Sequence, residues 1–322
     1  MIERKAKRHA KAAVFAAAHA KYWEQFDGLY EKIIGYHSEL LTLVRENDIE
    51  VIDFGIIDSS EKSYAAADKI NAANPDLIIC NMVTYATSSV FAPIMRSANA
   101  PVILTALQPL SKLDYSKAST FMQLENDNIC SVPEFTGVAV RLGKKVNDVI
   151  LGRLYDDNEV KSEIKEWCDI AKVLNSLKSA RIGLMGHVME AMYDMHADPT
   201  AISAAFGLHV PLLEIDDVTE LYDTVTNEEI QKKISLIDSE FDMPEPQSDP
   251  VTSKLTDDDK YQAAKTAAAL DKLVERYNLT GLAYYYEGLP GSIQRKIASS
   301  FIVGNSILNA QGIPMCGEYD IK

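Results

Sequence analysis

Apolar and polar positions follow two alternating periods along the first half of the chain, and they predict strands and helices in turn. Four short stretches are predicted as strands: AAVFAAA (12–18), IEVIDFGII (49–57), DLIICNMV (76–83) and PVILTAL (101–107). DLIICNMV has the continuously apolar character of a strand buried on both faces. Helical spacing of apolar residues connects them, in segments 22–47, 60–73 and 87–100. This βαβα order predicts a parallel sheet covered by helices.

A second series begins after the long amphipathic segment 158–180. Strands are predicted at RIGLMGH (181–187), HVPLLEID (209–216), LTGLAYYYEG (279–288) and IPMC (313–316), with helices at 199–207, 260–278 and 292–312. The stretch 239–259 is rich in proline and acid, which predicts a surface connection. We therefore expect two Rossmann-like α/β domains with parallel sheets flanked by helices, covering residues 1–177 and 178–322.

Composition and charge exclude some classes of function but say little about the fold. The formal net charge of -15 argues against nucleic acid, because phosphate contacts need clustered Lys and Arg. No apolar run approaches the roughly 18 residues of a membrane span. The four cysteines lack CxxC spacing and the N-terminus has no secretion pattern, so we expect a cytoplasmic protein.

Candidate chemistry lies at the strand ends, because ligands of open α/β sheets bind beyond the carboxyl ends of the strands. In the first half, the polar residues at these ends are Asn81, Thr84, Tyr85 and Gln108. In the second half they are His187, Glu190, Tyr286, Glu287 and Glu318. No GxGxxG follows a strand, so a dinucleotide site is not expected.

Three segments leave more than one interpretation open. GHVMEAMYDMH (186–196) is a substrate-contacting loop, a metal site using His187, Glu190, Asp194 and His196, or only a capped turn. In AYYYEG (283–288), Tyr284 and Tyr286 share a strand face and form either a core aromatic pair or a wall that contacts a sugar. MQLENDNICSVPEF (122–135) is expected to be a surface loop, with an oligomer interface as the alternative.

Taken in order, four segments resemble the L-arabinose isomerase family and its L-fucose isomerase-like relatives. They are DLIICNMVTYATSSVFAPIMRSANAPVILTALQPL, STFMQLENDNICSVPEFTGVAVRLGKK, SARIGLMGHVMEAMYDM and GNSILNAQGIPMCGEYDIK. The resemblance implies two Rossmann-like domains followed by a β-rich C-terminal domain, and we expect residues 1–322 to correspond to the first two. It also implies interconversion of aldoses and ketoses with Mn²⁺ or another divalent cation, and a homo-oligomer, either a trimer or a hexamer.

The resemblance implies roles for particular residues. Glu318 matches the first of two acids that hold the metal together with two histidines, so it is our candidate catalytic residue and metal ligand. Met189 matches a substrate loop that also carries His187, and Tyr286 with Glu287 matches an aromatic substrate wall followed by an acid. MQLENDNI resembles a loop that reaches a neighbouring subunit's site, with Ile129 where the family has histidine. His19 and Tyr22 match an N-terminal turn only poorly.

Together these features predict a metal-dependent sugar isomerase that lacks the C-terminal part of its active site and is inactive as it stands. Isomerisation of L-arabinose or L-fucose by this chain with Mn²⁺ would contradict the expected inactivity. The alternative is a non-catalytic sugar-binding or sensor module, since such modules also consist of two Rossmann-like domains.

Overall fold

The computed structural model describes residues 2–6, 8–242, 245 and 250–321. Its contacts divide the chain into two compact units: one is Arg8–Ser176, and the other joins Met1–Lys7 to Leu177–Lys322. Within the described part of the chain, no helix combines the length and apolarity needed to cross a bilayer.

The first unit contains a five-stranded parallel sheet. Its strands are β1 (Lys11–Ala17), β2 (Glu50–Ile57), β3 (Leu77–Met82), β4 (Val102–Gln108) and β5 (Asp148–Arg153). They lie in the order β2-β1-β3-β4-β5, and every adjacent pair is parallel. In this order the connections leave β1 in opposite directions, so β1 and β3 flank the switch point where such sheets bind ligands.

Helices cover both faces of this sheet. They are α1 (Leu29–Arg45), α2 (Ser60–Ala73), α3 (Ala92–Ser97), α4 (Thr120–Glu125), α5 (Val132–Arg141) and α6 (Asn158–Ser179). Strand β1 shows why both faces need cover: Ala13 and Phe15 pack in the core formed with α2, α3 and α5, whereas Ala12 and Val14 pack in the core formed with α1 and α6. The continuous apolar run of β1 is the consequence of burial on both sides.

The second unit repeats this design with a shorter sheet. Its strands are β6 (Ile182–Met185), β7 (Leu212–Leu213), β8 (Gly281–Tyr284) and β9 (Met315–Cys316), all parallel and in the order β7-β6-β8-β9. Its helices are α7 (Pro199–Phe206), α8 (Ile215–Asp223), α9 (Asn227–Glu240), α10 (Asp257–Tyr277), α11 (Ile293–Ala298) and α12 (Phe301–Ala310). The predicted fold class, α/β with parallel sheets flanked by helices, is confirmed in both units.

Several helix limits follow from local chemistry. Helix α10 starts earlier than predicted, at Asp257, because Thr256 and Asp259 form a reciprocal capping box: Thr256 N–H donates to Asp259 Oδ2 at 2.9 Å. Helix α7 ends at Gly207, whose φ of 77° makes the left-handed turn that glycine adopts most readily. In the predicted surface connection 239–259, residues 243, 244 and 246–249 lie outside the described part of the chain.

The four strands predicted in the second unit are shorter than expected, and one strand of the first unit was missed. HVPLLEID gives only Leu212–Leu213, after which Glu214 and Asp217 form a capping box that starts α8. LTGLAYYYEG ends its strand at Tyr284. Edge strand β5 was not predicted, because its apolar run is only three residues long, between Asp148 and Gly152.

The expected surface loop at MQLENDNI is wrong for part of its length. Residues up to Glu125 complete α4, and Glu125, Asn126 and Asn128 are only 6%, 8% and 4% exposed. Burial is tolerated because partners are present: Lys32 Nζ donates to Glu125 Oε1 at 2.7 Å, and Asn128 Nδ2 donates to the Met82 carbonyl at 2.8 Å. These hydrogen bonds therefore hold α4 and the following turn against the core of the first unit.

Candidate functional site

A tight turn at Gly186 carries the chain out of β6 toward the candidate site. Its φ is +93°, and a Cβ at this position would lie 3.1 Å from Tyr285 Cβ. The ladder between β6 and β8 continues here, since Tyr285 N–H donates to the Met185 carbonyl at 3.0 Å. Glycine is thus required both by the backbone conformation and by the close approach of the residue after β8.

At the carboxyl edge of the second unit's sheet, the predicted residues Tyr286 and Glu318 contact each other, whereas the predicted His187 contacts Tyr285, which was not predicted. The His187 ring lies against the Tyr285 ring with centroids 4.6 Å apart. The Tyr286 hydroxyl donates to Glu318 Oε1 over 3.4 Å. Residues that follow β6, β8 and β9 are therefore brought to one edge, as the rule for parallel sheets requires.

Glu318 has a strained backbone. Glu318 and Tyr319 have φ values of 61° and 68°, two consecutive left-handed residues without a glycine. The conformation is held by a main-chain hydrogen bond from Tyr319 N–H to the Tyr284 carbonyl at 2.9 Å. Strain of this kind persists only where surrounding contacts fix it, and it concentrates at functional positions. The side chain of Glu318 is half-buried.

Electrostatics favours a protonated Tyr286. Partial burial, and then the neighbouring Glu318 carboxylate, raise the pKa of Tyr286 above its usual value. At neutral pH the hydroxyl therefore keeps its proton and donates to the carboxylate. Tyr284, which shares the strand face predicted with Tyr286, is buried: its ring packs edge-to-face on Phe301 at 4.9 Å, and its hydroxyl accepts from Asn305 Nδ2 at 2.8 Å. The core interpretation thus holds for Tyr284, whereas Tyr286 is half-buried.

The segment 186–196 is a series of turns rather than a helix. Met192 N–H donates to the Met189 carbonyl at 3.1 Å, and a 3₁₀ turn follows at Tyr193–Met195. Met189 is half-buried, and Glu287, after β8, is exposed and accepts from the Tyr285 hydroxyl at 3.4 Å. The helical face shared by His187 and Glu190, which one interpretation required, does not form.

The residues described here do not by themselves fit the four-ligand metal site that the resemblance implies. Across the described ranges, no three His, Cys, Asp or Glu side chains come together in a way that could hold a metal ion. Neither Glu318 nor the hypothetical set of His187, Glu190, Asp194 and His196 is part of such a group.

In the first unit, two of the predicted strand-end residues are buried and make hydrogen bonds within the core. Asn81 is buried, accepts from Thr105 Oγ1 at 3.2 Å and lies 3.3 Å from His37 Nδ1. Thr84 is also buried and donates to the Leu124 carbonyl at 2.7 Å. These side chains link elements of the core. Gln108 is half-buried at the end of β4.

A further polar cluster at the first unit's switch point combines residues from three segments. The His19 and Tyr22 rings are 5.1 Å apart, just after β1. Burial, and then nearby Tyr85, Asp127 and Cys130, raise the pKa of Tyr22. Asp127 and Cys130 were not predicted as site residues, because they lie in a polar run that was interpreted as a surface loop. The order of the strands, which brings this run beside β3, is the signal that identifies them.

The chain has no matching family model, but it has relatives among curated proteins. The L-arabinose isomerase of Cellvibrio japonicus is 22% identical over 274 residues, which cover 80% of this chain and 52% of that protein. The L-arabinose isomerase 2 of Clostridium acetobutylicum is 22% identical over 310 residues, covering 89% of this chain and 60% of that protein. This chain is arabinose-isomerase-like in sequence. It spans about half the length of the curated relatives it matches.

Solved structures are similar to the arabinose-isomerase-like chain only at a low level. An ABC transporter solute binding protein from Agrobacterium vitis, bound with alpha-D-tagatopyranose, covers 96% of this chain and is covered to 92%. Its sequence identity is 12% and the TM-score is 0.23. A likeness at this level carries no functional argument, and the fold class rests on the two sheets.

Proposed function

We propose that this chain provides the sugar-binding and proton-transferring part of an aldose–ketose isomerase of the arabinose-isomerase type. The observation that carries the proposal is the contact of Tyr286 with Glu318 at the carboxyl edge of the second sheet. It occurs in a chain similar to L-arabinose isomerases over 80% of its length. The left-handed backbone of Glu318 adds support, because such strain needs a reason to be retained.

The chemistry explains what Glu318 contributes. Isomerisation moves a hydrogen between C1 and C2 of the open-chain sugar while a proton passes between the oxygens O2 and O1. A carboxylate can take the proton from one carbon and return it to the other. Oε1 of Glu318 accepts from Tyr286, which fixes the orientation of the carboxyl group. Oε2 is then the oxygen proposed to exchange the proton.

Four further residues are proposed as substrate contacts. Tyr286 offers an aromatic face for the apolar C–H side of a sugar, while His187 and Glu287 offer hydrogen-bond acceptors for hydroxyl groups. Met189 adds an adaptable apolar contact. All four lie on the segments that leave β6 and β8 at their carboxyl ends.

Mn²⁺, oligomerisation and location remain predictions. For Mn²⁺ or another divalent cation, the proposal extends to Glu318 alone, as one carboxylate ligand. Manganese electron paramagnetic resonance with the Glu318→Gln variant tests it: the variant should leave more free Mn²⁺ than the unmodified chain. A homo-oligomer and a cytoplasmic location are expectations that light scattering and fractionation can check.

Calorimetric titration with L-arabinitol, an open-chain polyol that cannot isomerise, tests the proposed function. We expect the unmodified chain to bind the polyol and Glu318→Gln to bind it at least about tenfold more weakly. The variant replaces a charged acceptor of a polyol hydroxyl by a neutral one. Glu190→Gln, an exposed acid of the same unit, is the control and should bind normally.

Two results would redirect the proposal. Failure of the unmodified chain to bind the polyol would contradict it. Binding that is unaffected by Glu318→Gln would favour the sensor alternative, which needs a cleft and no catalytic acid.

A further inference from the structure

Tyr285 contacts three of the residues that the proposed function places at the sugar site, although nothing in the sequence assigns it a role. Its ring lies 4.6 Å from the His187 ring and 5.7 Å from the Tyr286 ring. Its hydroxyl donates to Glu287 Oε2 over 3.4 Å. Tyr285 therefore connects the segment after β6 with the segment after β8.

The backbone fixes where Tyr285 stands. Its N–H donates to the Met185 carbonyl at 3.0 Å, so the residue continues the ladder between β6 and β8. Its Cβ faces Gly186, where any side chain would come within 3.1 Å of it. The ring is thus set at the switch point of the second sheet, the place where ligands of such sheets bind.

The His187 ring is also fixed in its protonation pattern. Nδ1 lies 3.0 Å from the Val188 carbonyl, and a carbonyl oxygen only accepts hydrogen bonds. Nδ1 therefore carries the proton, and in the neutral ring Nε2 is the acceptor. His187 Nε2 and the second carboxylate oxygen of Glu287 are thus two hydrogen-bond acceptors on side chains that contact Tyr285.

We infer that Tyr285 is a positioning residue of the proposed sugar site: its ring holds the His187 imidazole, and its hydroxyl holds the Glu287 carboxylate. The two acceptors so held suit a ligand with hydroxyl donors on neighbouring carbons, which is the chemistry of an open-chain polyol or sugar. This inference rests on the proposed function for its ligand, but the contacts of Tyr285 can be tested without any ligand.

The first experiment measures the ring contact directly in the 322-residue chain. The protein has six histidines, so ¹³C-labelled histidine gives few ring resonances, and His187→Gln assigns the one in question. Tyr285→Leu should shift the His187 ring proton signals because the ring current is lost, whereas Tyr285→Phe should preserve most of it. Tyr193→Leu is the matched control, since Tyr193 lies 6.4 Å from His196 in the same segment.

The second experiment measures L-arabinitol affinity in the same variants. Tyr285→Leu should weaken binding about fivefold, the equivalent of one aromatic contact, and Tyr285→Phe about twofold. Tyr285→Phe combined with Glu287→Ala should weaken binding less than the product of the single effects, because both remove the same hydrogen bond.

Each result decides one part of the inference. An unshifted His187 signal in folded Tyr285→Leu, with circular dichroism as the check on folding, would overturn the ring contact. A shifted signal with unchanged affinity would overturn the positioning role. Failure of the unmodified chain to bind L-arabinitol would overturn the proposed function and the polyol as ligand, while the His187 signal would still decide the contact.

Discussion

Asn81 at the end of β3 and Tyr286 just beyond β8 stand at corresponding places, since β3 and β8 each lie beside the first strand of their sheet, β1 or β6, across the switch point. Asn81 is buried and bonded within the core, to Thr105 and beside His37. Tyr286 is half-buried and makes one long hydrogen bond, to Glu318. The carboxyl edges of both sheets therefore carry polar groups. The two edges differ in whether those groups already make hydrogen bonds to other residues of the protein.

This difference has a physical meaning for function. A buried polar group with a complete set of partners stabilises the fold and has nothing left for a ligand. Half-exposed groups with long or single bonds, such as those of Tyr286, Glu287 and Glu318, keep acceptors available and contribute little to stability. Substitutions at the first edge should therefore affect unfolding, and substitutions at the second should affect binding.

The largest effect is expected from Asn81→Ala. It leaves His37 Nδ1 and the Thr105 hydroxyl without their partner inside the core, which costs about 1–3 kcal/mol of unfolding free energy. Urea unfolding measures the loss, and Gln25→Ala, an exposed position of the same unit, is the control. A loss no larger than that of the control would mean that the two edges do not differ as described.

Next is Gly186→Ala, which should cost about 1–2 kcal/mol because it combines left-handed strain with a clash against Tyr285. Gly291→Ala is a matched control: its φ is +81°, but a Cβ there meets nothing within 4 Å. The difference between the two variants measures the close approach to Tyr285 alone. Equal costs in thermal unfolding would show that this approach is relaxed in solution.

Tyr286→Phe should affect ligand binding more than stability, the opposite of what we expect for Asn81→Ala. Loss of a long, half-exposed hydrogen bond should lower stability by less than about 1 kcal/mol. The same change should weaken L-arabinitol binding several-fold, because the Glu318 carboxylate is no longer oriented. Urea unfolding and calorimetry on one preparation give both numbers; a large stability loss with unchanged affinity would place Tyr286 among the structural residues.

The smallest effect concerns pH at the first unit's edge. Burial raises the pKa of Asp127, so folding favours its protonated form, and its contribution to stability is present at low pH and lost as the pH rises through its folded pKa. Asp127→Asn should therefore raise stability slightly at neutral pH and leave it unchanged below about pH 3.9, the usual carboxyl pKa.

Asp114→Asn serves as a control of opposite sign. Hydrogen bonds from Ser116 lower the pKa of Asp114, so its contribution is present at neutral pH and is lost in acid. Melting curves from pH 3 to 7 compare the two variants. A gain for Asp127→Asn that persists at pH 3 would mean that charge is not its cause.

Sequence patterns predicted the strands best where burial is complete on both faces. Segments 12–18 and 76–83 match β1 and β3 closely because nearly all of their residues are apolar and buried. Edge strand β5 escaped prediction since one side of it faces solvent, and β7 was predicted over 209–216 but is only two residues long.

The site was partly predictable for a similar reason. The end of a strand can be located from its apolar run, so Glu318 and Tyr286 were found as neighbours of β9 and β8. Contacts between distant segments leave no local signal: the buried Glu125 depends on Lys32 and Tyr36, which lie far away in the chain. Tyr285 was missed because its partner His187 follows a different strand.

The central claim is that Glu318 faces the bound ligand. Carboxyl ¹³C resonances of the glutamates, recorded with and without L-arabinitol and assigned with Glu318→Gln, test it most directly. The account predicts that the Glu318 signal moves on addition of the polyol while that of Glu190 stays in place. Saturating polyol that leaves the Glu318 signal unmoved would contradict it.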